Sequence, residues 1–263
     1  STVCGTTGLR PTYGRVSRTG AMALSWSMDK IGPICRSVED CAIVFHAIYG
    51  PDGIDPTIYD VPFVYSPEKI DIKKLRIGYL KSVFDGAKQN KQFNDAALEK
   101  FRQLGAVLVP IELPKLPVDD IAFILDAEAS ASFDELTRSR RDTLMVLQGK
   151  ENWPNIFRSS RFISATEYVQ ANRLRTMLIQ EMERMFQSNK INLYIAPSSG
   201  GGNLLMTNLT GHPCVVLPNG FNESNLPVSI TFIGKLFDEG TLLAAAKIYQ
   251  EATPFHLKHP VLK

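Results

Sequence analysis

Leu75-Arg76-Ile77-Gly78-Tyr79-Leu80 opens a run of three segments that decides the fold class. It is a short apolar stretch of strand length. Asn94 to Leu104 then carries apolar residues at helical spacing, and Gly105 follows as a helix stop. Ala106 to Leu113 is apolar and β-branched and reads as a buried strand. Strand, helix, strand is the grammar of an α/β layer.

The alternation extends in both directions. Upstream, Ser37-Val38-Glu39-Asp40 has capping-box form, with a Ser oxygen for an orphan amide and an acid to reach back. Val38, Cys41, Ala42, Phe45 and Ile48 follow at helical spacing before Gly50. Residues 1–33 are rich in Gly, Ser, Thr and Arg and read as loops and short strands, while the four prolines of residues 51–71 mark a loop. Downstream, Asp119 to Leu147 predicts one or two long helices. Ser164-Ala165-Thr166-Glu167 is a second capping box, opening a helix that carries Tyr168, Leu174, Leu178, Met182 and Met185. Ile191 to Ala196, Cys214 to Leu217 and Val228 to Ile233 read as short buried strands. A last helix, from Glu239 to Ala252, turns Leu242, Leu243, Ala246 and Tyr249 inward. No repeat or linker interrupts the chain, so residues 1–263 read as one α/β domain.

The 263 residues (29.2 kDa) are enough to bury roughly 70–75% of the unfolded surface. Lys and Arg number 29 against 27 Asp and Glu, a net charge of +2 that excludes direct nucleic-acid binding by bulk electrostatics. No apolar run approaches the roughly 20 residues of a membrane span, so no membrane partner is expected. The start, Ser1-Thr2-Val3-Cys4, has no apolar signal region and no Met, which points to an upstream portion. Cys4, Cys35, Cys41 and Cys214 lack metal-site spacing and read as reduced thiols of a cytoplasmic protein without a metal site.

Common catalytic motifs are absent: no GxGxxG after a strand, no P-loop, no HExxH, no GxSxG. The Pro197–Gly202 loop follows a strand and reads either as a ligand-contacting loop or as a plain connection. His212 is a weak candidate base for Ser198 or Ser199, because nothing in the spacing brings them together. Asp119-Asp120 suits a helix start, and Arg138-Ser139-Arg140-Arg141 reads as a solvated basic face within a helix.

Four segments together are specific. Gly8-Leu9-Arg10-Pro11-Thr12-Tyr13-Gly14-Arg15-Val16-Ser17 resembles the GLKPTYGRVS segment of the amidase signature family. Ser27-Met28-Asp29-Lys30-Ile31-Gly32-Pro33 with Arg36-Ser37-Val38-Glu39-Asp40 is similar to that family's SxDxxGP and RSVED run. Asn208-Leu209-Thr210-Gly211-His212-Pro213 resembles its NLxGxP element, and Leu226-Pro227-Val228-Ser229-Ile230 through Ile233-Gly234 its LPxxLxxIG element. The segments occur in the family's order, and residues 119–189 are only loosely similar.

The resemblance implies an α/β/α sandwich around a mixed central sheet, and amide hydrolysis by a Ser–cis-Ser–Lys triad without a cofactor. Matching Cys4-Gly5 to the family pattern places the nucleophile a few residues before Ser1, so all three triad members precede this chain. This chain is then the C-terminal portion of an amidase, inactive alone, with a small-molecule amide as substrate of the whole. Its partner is the missing N-terminal portion, or a second copy covering exposed sheet edge. The resemblance also implies that Ser25, Trp26, Ser27, Met28 and Asp29 approach the acyl pocket, with Trp26 as a stacking or rim aromatic and Asp29 as a loop tie.

One branch of the family comprises the glutamine-hydrolysing A-subunits of tRNA amidotransferases. There, an Asp before NLxGxP and an Arg in the variable middle grip the amino acid. Gly201 stands at the Asp position, and Asn155-Ile156-Phe157 where Arg-Ile-Phe is expected, with Arg158 next to it. A stand-alone amidase is therefore the leading reading. The alternatives are part of such an amidotransferase, or a non-catalytic pseudo-amidase or interaction module.

Overall fold

A computed structural model describes residues 1–198 and 202–259. Seven strands form one mixed sheet: β1 (Thr7–Arg10), β2 (Ile34–Cys35), β3 (Arg76–Leu80), β4 (Val107–Ile111), β5 (Leu193–Pro197), β6 (Cys214–Phe221) and β7 (Pro227–Gly234). Their order is β2-β1-β6-β7-β5-β3-β4. β3 runs parallel to β4 and β5, with the predicted crossover helix between β3 and β4; the remaining pairings are antiparallel.

The helices are α1 (Val38–Ile48), α2 (Lys81–Gly86), α3 (Lys91–Gln103), α4 (Ile124–Ser132), α5 (Asp134–Arg138), α6 (Trp153–Ser159), α7 (Ala165–Ser188), α8 (Asn203–Thr210) and α9 (Glu239–Glu251). Both capping boxes form as expected. The Ser37 hydroxyl accepts from the Asp40 amide while Asp40 accepts from the Ser37 amide, and Ser164 and Glu167 repeat the exchange. One sheet face buries Ile77, Leu193, Ile195, Val215 and Phe232 against α1, α3 and α9. The other buries Leu80, Tyr194, Ala196 and Ile233 against α4, α7 and α8. The result is the α/β/α sandwich with a mixed central sheet.

Three local readings change. The long helices of residues 119–147 are broken into short pieces. Phe133 leaves helical geometry (φ −107°, ψ 24°), with its ring stacked on Phe157 at 4.8 Å, and Arg140 turns left-handed at φ 59°. The Arg138–Arg141 run therefore straddles a helix end instead of lining one face. β6 continues through Pro218 because a register irregularity between Pro218 and Gly220 accommodates it, and Asn222 closes the hairpin by accepting from the Ser224 and Leu226 amides. No helix among the described residues is long and apolar enough to cross a membrane.

The two ends of the chain meet at a buried ion pair. Arg15 Nε lies 3.3 Å from Glu239 Oε2, and both side chains are fully buried. Glu239 Oε1 accepts from the Thr12 amide at 2.9 Å, and Thr12 Oγ1 accepts from the Phe237 amide at 2.9 Å. The Arg15 guanidinium also lies over the Phe45 and Tyr49 rings, 5.5 and 5.2 Å from their centroids. Gly14 sits at φ +80°, where a Cβ would approach the Thr57 carbonyl oxygen to 2.7 Å; the turn that aims Arg15 inward requires glycine.

Removing one partner leaves the other charge buried and unpaired. Glu239→Ala is expected to lower stability by about 3–5 kcal/mol in a denaturant titration; a loss under 1 kcal/mol would show that the pair does not hold the ends together. His212 is a second buried titratable group. Burial, and then the Lys30 charge, push its pKa down to about 3 from 6.5. Its neutral form is the folded form, so its contribution is complete above pH 6.5 and is lost as pH falls toward 3. His212→Asn should flatten the fall of denaturation midpoint between pH 6.5 and 4; an unchanged slope counts against this assignment.

Candidate functional site

The excursion between β1 and β2 carries the predicted Ser25–Asp29 segment. It is a tight turn, with the Ser25 carbonyl accepting from the Met28 and Asp29 amides at 3.2 and 2.9 Å. Asp29 Oδ2 accepts from the Leu24 and Ser25 amides at 2.8 and 2.9 Å, so Asp29 ties the loop. The Trp26 carbonyl accepts from Tyr13 Oη at 2.7 Å and from Arg18 Nη1, which leaves the indole at the surface, 51% exposed.

A carboxylate on α4 holds this turn from beneath. Buried Glu128 accepts from the Ser25 hydroxyl, from Ser27 N at 3.1 Å and Ser27 Oγ at 2.7 Å, and from Tyr168 Oη at 2.6 Å. Burial alone would raise its pKa. The hydrogen bonds from Ser25, Tyr168 and Ser27 outweigh burial and keep the carboxyl below its usual range. Burial first, and the hydrogen bond to Glu128 next, push the Tyr168 phenol up to about 12. Arg175 on α7 completes the clamp: Nη1 donates to Ser27 Oγ at 2.6 Å, Nη2 to the Ser27 carbonyl at 2.7 Å and Nε to the Leu209 carbonyl at 2.5 Å.

Beside this clamp lies a cavity of about 670 Å³, walled by Trp26, Ala131, Asp134, Arg161, Ile163 and Tyr168. Small and apolar residues line it together with charged ones. Asp134 pairs there with Arg138 at 2.6 Å and with Arg161. A second cavity, of about 340 Å³, shares Trp26 with the first and includes Arg18, Met22, Asp29, Lys30 and Ile31. Lys30 Nζ points to the protein interior and donates to the carbonyls of His212 at 3.0 Å and Thr207 at 3.4 Å. Burial, reinforced by the Arg10 charge, lowers its pKa to about 7.

The structure thus separates the predicted residues. Trp26 faces both cavities, the hydroxyls of Ser25 and Ser27 are engaged with Glu128, and Met28 packs on the sheet-facing core of α7 and α8. Gly201 and Ser199 lie outside the described residues. Ser198 Oγ shares a hydrogen bond with Thr231 Oγ1 at 2.9 Å, while buried His212 meets Thr210 Oγ1 at 2.8 Å and stacks on Phe186, so the pair assembles no Ser–His base. Arg158 is held by Asp142 at 2.5 Å and Asn155 at 3.0 Å.

Sequence reasoning passed over Glu128, Tyr168 as a hydroxyl donor, Arg175 and Lys30. Glu128 left one signal: a carboxylate set among the small residues Ala127, Ala129 and Ser130, where solvation would be poor. Among the described residues no cluster of three or more His, Cys, Asp or Glu is arranged for a metal ion.

A family model described as Amidase matches residues 1–205. Curated relatives named as the A-subunit of glutamyl-tRNA(Gln) amidotransferase are 32% identical in Roseiflexus castenholzii and 34% in Carboxydothermus hydrogenoformans. The matches cover 99% and 98% of this chain but only 61% and 62% of theirs, so the chain spans about three fifths of their length. The solved A-subunit of glutamyl-tRNA(Gln) amidotransferase from Thermotoga maritima superposes with a TM-score of 0.77 at 24% identity, over 96% of this chain and 59% of that one. The peptide amidase of Stenotrophomonas maltophilia superposes with a TM-score of 0.79 at 23% identity, over 95% and 58%. On the family match, the relatives and the shared fold, the chain belongs to the amidase signature family.

Proposed function

We propose that this chain is the C-terminal portion of an enzyme that hydrolyses a carboxylic amide, with its Ser–cis-Ser–Lys triad in a segment preceding Ser1. The observation that carries the reading is the family match over residues 1–205, joined to relatives of which this chain spans three fifths. In this reading the chain supplies one wall of the acyl pocket, around Trp26.

An amide carbonyl is a poor electrophile, so an attacking hydroxyl needs a base and the oxyanion needs donors. The serines of the turn that carries Trp26 do not meet the first need. Ser25 and Ser27 donate to Glu128, whose pKa is held low by its donors, and a weakly basic carboxylate is a poor proton acceptor. The chain alone is therefore proposed to be inactive.

The Trp26 cavity favours an apolar or aromatic acyl group. Ala127, Ala131, Ile163 and Ala165 line it beside the indole, and Asp134 already neutralises part of the guanidinium charge in its lining. Arg158 is committed to buried Asp142, and Gly201 carries no carboxylate, which supports a stand-alone amidase over a glutamine hydrolase. The second reading, part of the A-subunit of a tRNA amidotransferase complex, draws on relatives of that name at 31–34% identity. Cytoplasmic location is proposed from the free thiols.

A serine-reactive fluorophosphonate separates these readings. The 29.2 kDa chain should take no label, and a protein including the upstream segment should take one label outside residues 1–263. Specific labelling of a serine within this chain, with amide turnover, would sink the proposal. In the longer protein, aryl amides should be cleaved faster than glutamine; the reverse order would support the amidotransferase reading. Trp26→Ala should raise KM for aryl amides about 3- to 10-fold, the worth of one aromatic contact. An unchanged KM would remove Trp26 from the pocket.

A further inference from the structure

Cys35 ends β2, and Cys41 lies in the first half of α1, six positions on. Cys35 pairs with Thr7 across the antiparallel β1–β2 ladder, and the Cys41 thiol approaches the Thr7 carbonyl at 3.8 Å and the Pro33 carbonyl at 3.9 Å. Cys35 packs against the apolar cluster that holds Cys41. Gln250 ties α1 to β1: its Oε1 accepts from the Val38 amide at 2.8 Å, and its Nε2 donates to Thr7 Oγ1 at 3.0 Å. Cys35 is partly exposed and Cys41 buried.

We propose that Cys35 and Cys41 form a peroxide-sensitive dithiol that closes to an intramolecular disulfide between β2 and α1. The asymmetric exposure sets the order of steps. Hydrogen peroxide reaches Cys35, whose thiolate attacks one oxygen; the O–O bond breaks and hydroxide leaves, giving a sulfenic acid. Cys41 sulfur then attacks the Cys35 sulfur. The S–O bond breaks, the S–S bond forms, and the hydroxyl leaves with the Cys41 proton as water. Two thiols and one peroxide yield one disulfide and two waters. Burial, and then the Cys35 charge, push the Cys41 thiol up to about 12, so Cys41 does not compete for peroxide. Once Cys35 is a neutral sulfenic acid, that charge no longer opposes ionisation of Cys41.

The chain carries its own controls. Cys4 is more exposed than Cys35, and Cys214 is buried on the opposite sheet face. The sequence also separates the pair under trypsin: cleavage after Lys30, Arg36 and Lys69 puts Cys35 in residues 31–36 and Cys41 in residues 37–69.

Purified full chain is treated with equimolar hydrogen peroxide, blocked with N-ethylmaleimide in denaturant, digested and analysed by mass spectrometry. The expected product is peptide 31–36 linked to peptide 37–69, released by dithiothreitol. In Cys41→Ala the expected product is a Cys35 sulfenic acid trapped by dimedone. Recovery of Cys35 and Cys41 both as maleimide adducts while Cys4 is oxidised would overturn the proposal. So would linkage of Cys35 to Cys4.

Discussion

The Glu239 carboxylate is the point on which the chain closes. It pairs with Arg15 and caps the Thr12 amide, while Thr12 returns a hydrogen bond to the Phe237 amide. These contacts join residues more than two hundred positions apart. They place β1 between β2 and β6, the sixth strand in chain order. A charge pair without solvent is a poor source of net stability, because desolvation offsets most of the attraction. Its effect is selective: any other seating of residues 12–16 leaves a charge buried alone. The aromatic rings of Phe45 and Tyr49 under the guanidinium extend that selectivity to α1.

With β1 fixed, the loop toward β2 has to cross the end of the sheet near α4 and α7. Glu128 and Arg175 approach it there from two helices and meet at one side chain, Ser27, which donates to the carboxylate and accepts from the guanidinium. The loop's shape is therefore set by side chains about one hundred and one hundred and fifty positions downstream. Trp26 stays outside this network. Its backbone is held and its ring is left free to line both cavities.

Elements governed by local rules were legible in the sequence. Both capping boxes, the β3–α3–β4 unit and α9 announce themselves through capping chemistry and periodicity. The break at Phe133 was not legible, because its cause is a ring stacked on Phe157 from another helix. The motif segments were legible as strings before their physics was visible: Gly14 for a left-handed turn, Arg15 for a partner far downstream. At the site, Asp29 was readable as a loop tie because its donors are four and five residues away. Glu128 was not, because its donors come from two distant segments.

The Asn208–Pro213 segment gains a physical meaning from the same geometry. It ends α8, where carbonyls lack helical partners and the helix dipole is negative. Three cations converge there. Arg10 donates to Thr207 Oγ1 and Asn208 Oδ1, Lys30 to the Thr207 and His212 carbonyls, and Arg175 to the Leu209 carbonyl. Gly211, at φ 78°, turns the chain so that these carbonyls face the loop from β1 instead of continuing a helix. Burial first, and the Arg10 charge next, lower the pKa of the Lys30 amine to about 7, and burial lowers that of Arg175. A helix end with orphan carbonyls is thus what lets the sheet, the loop after β1 and α7 be joined by cations.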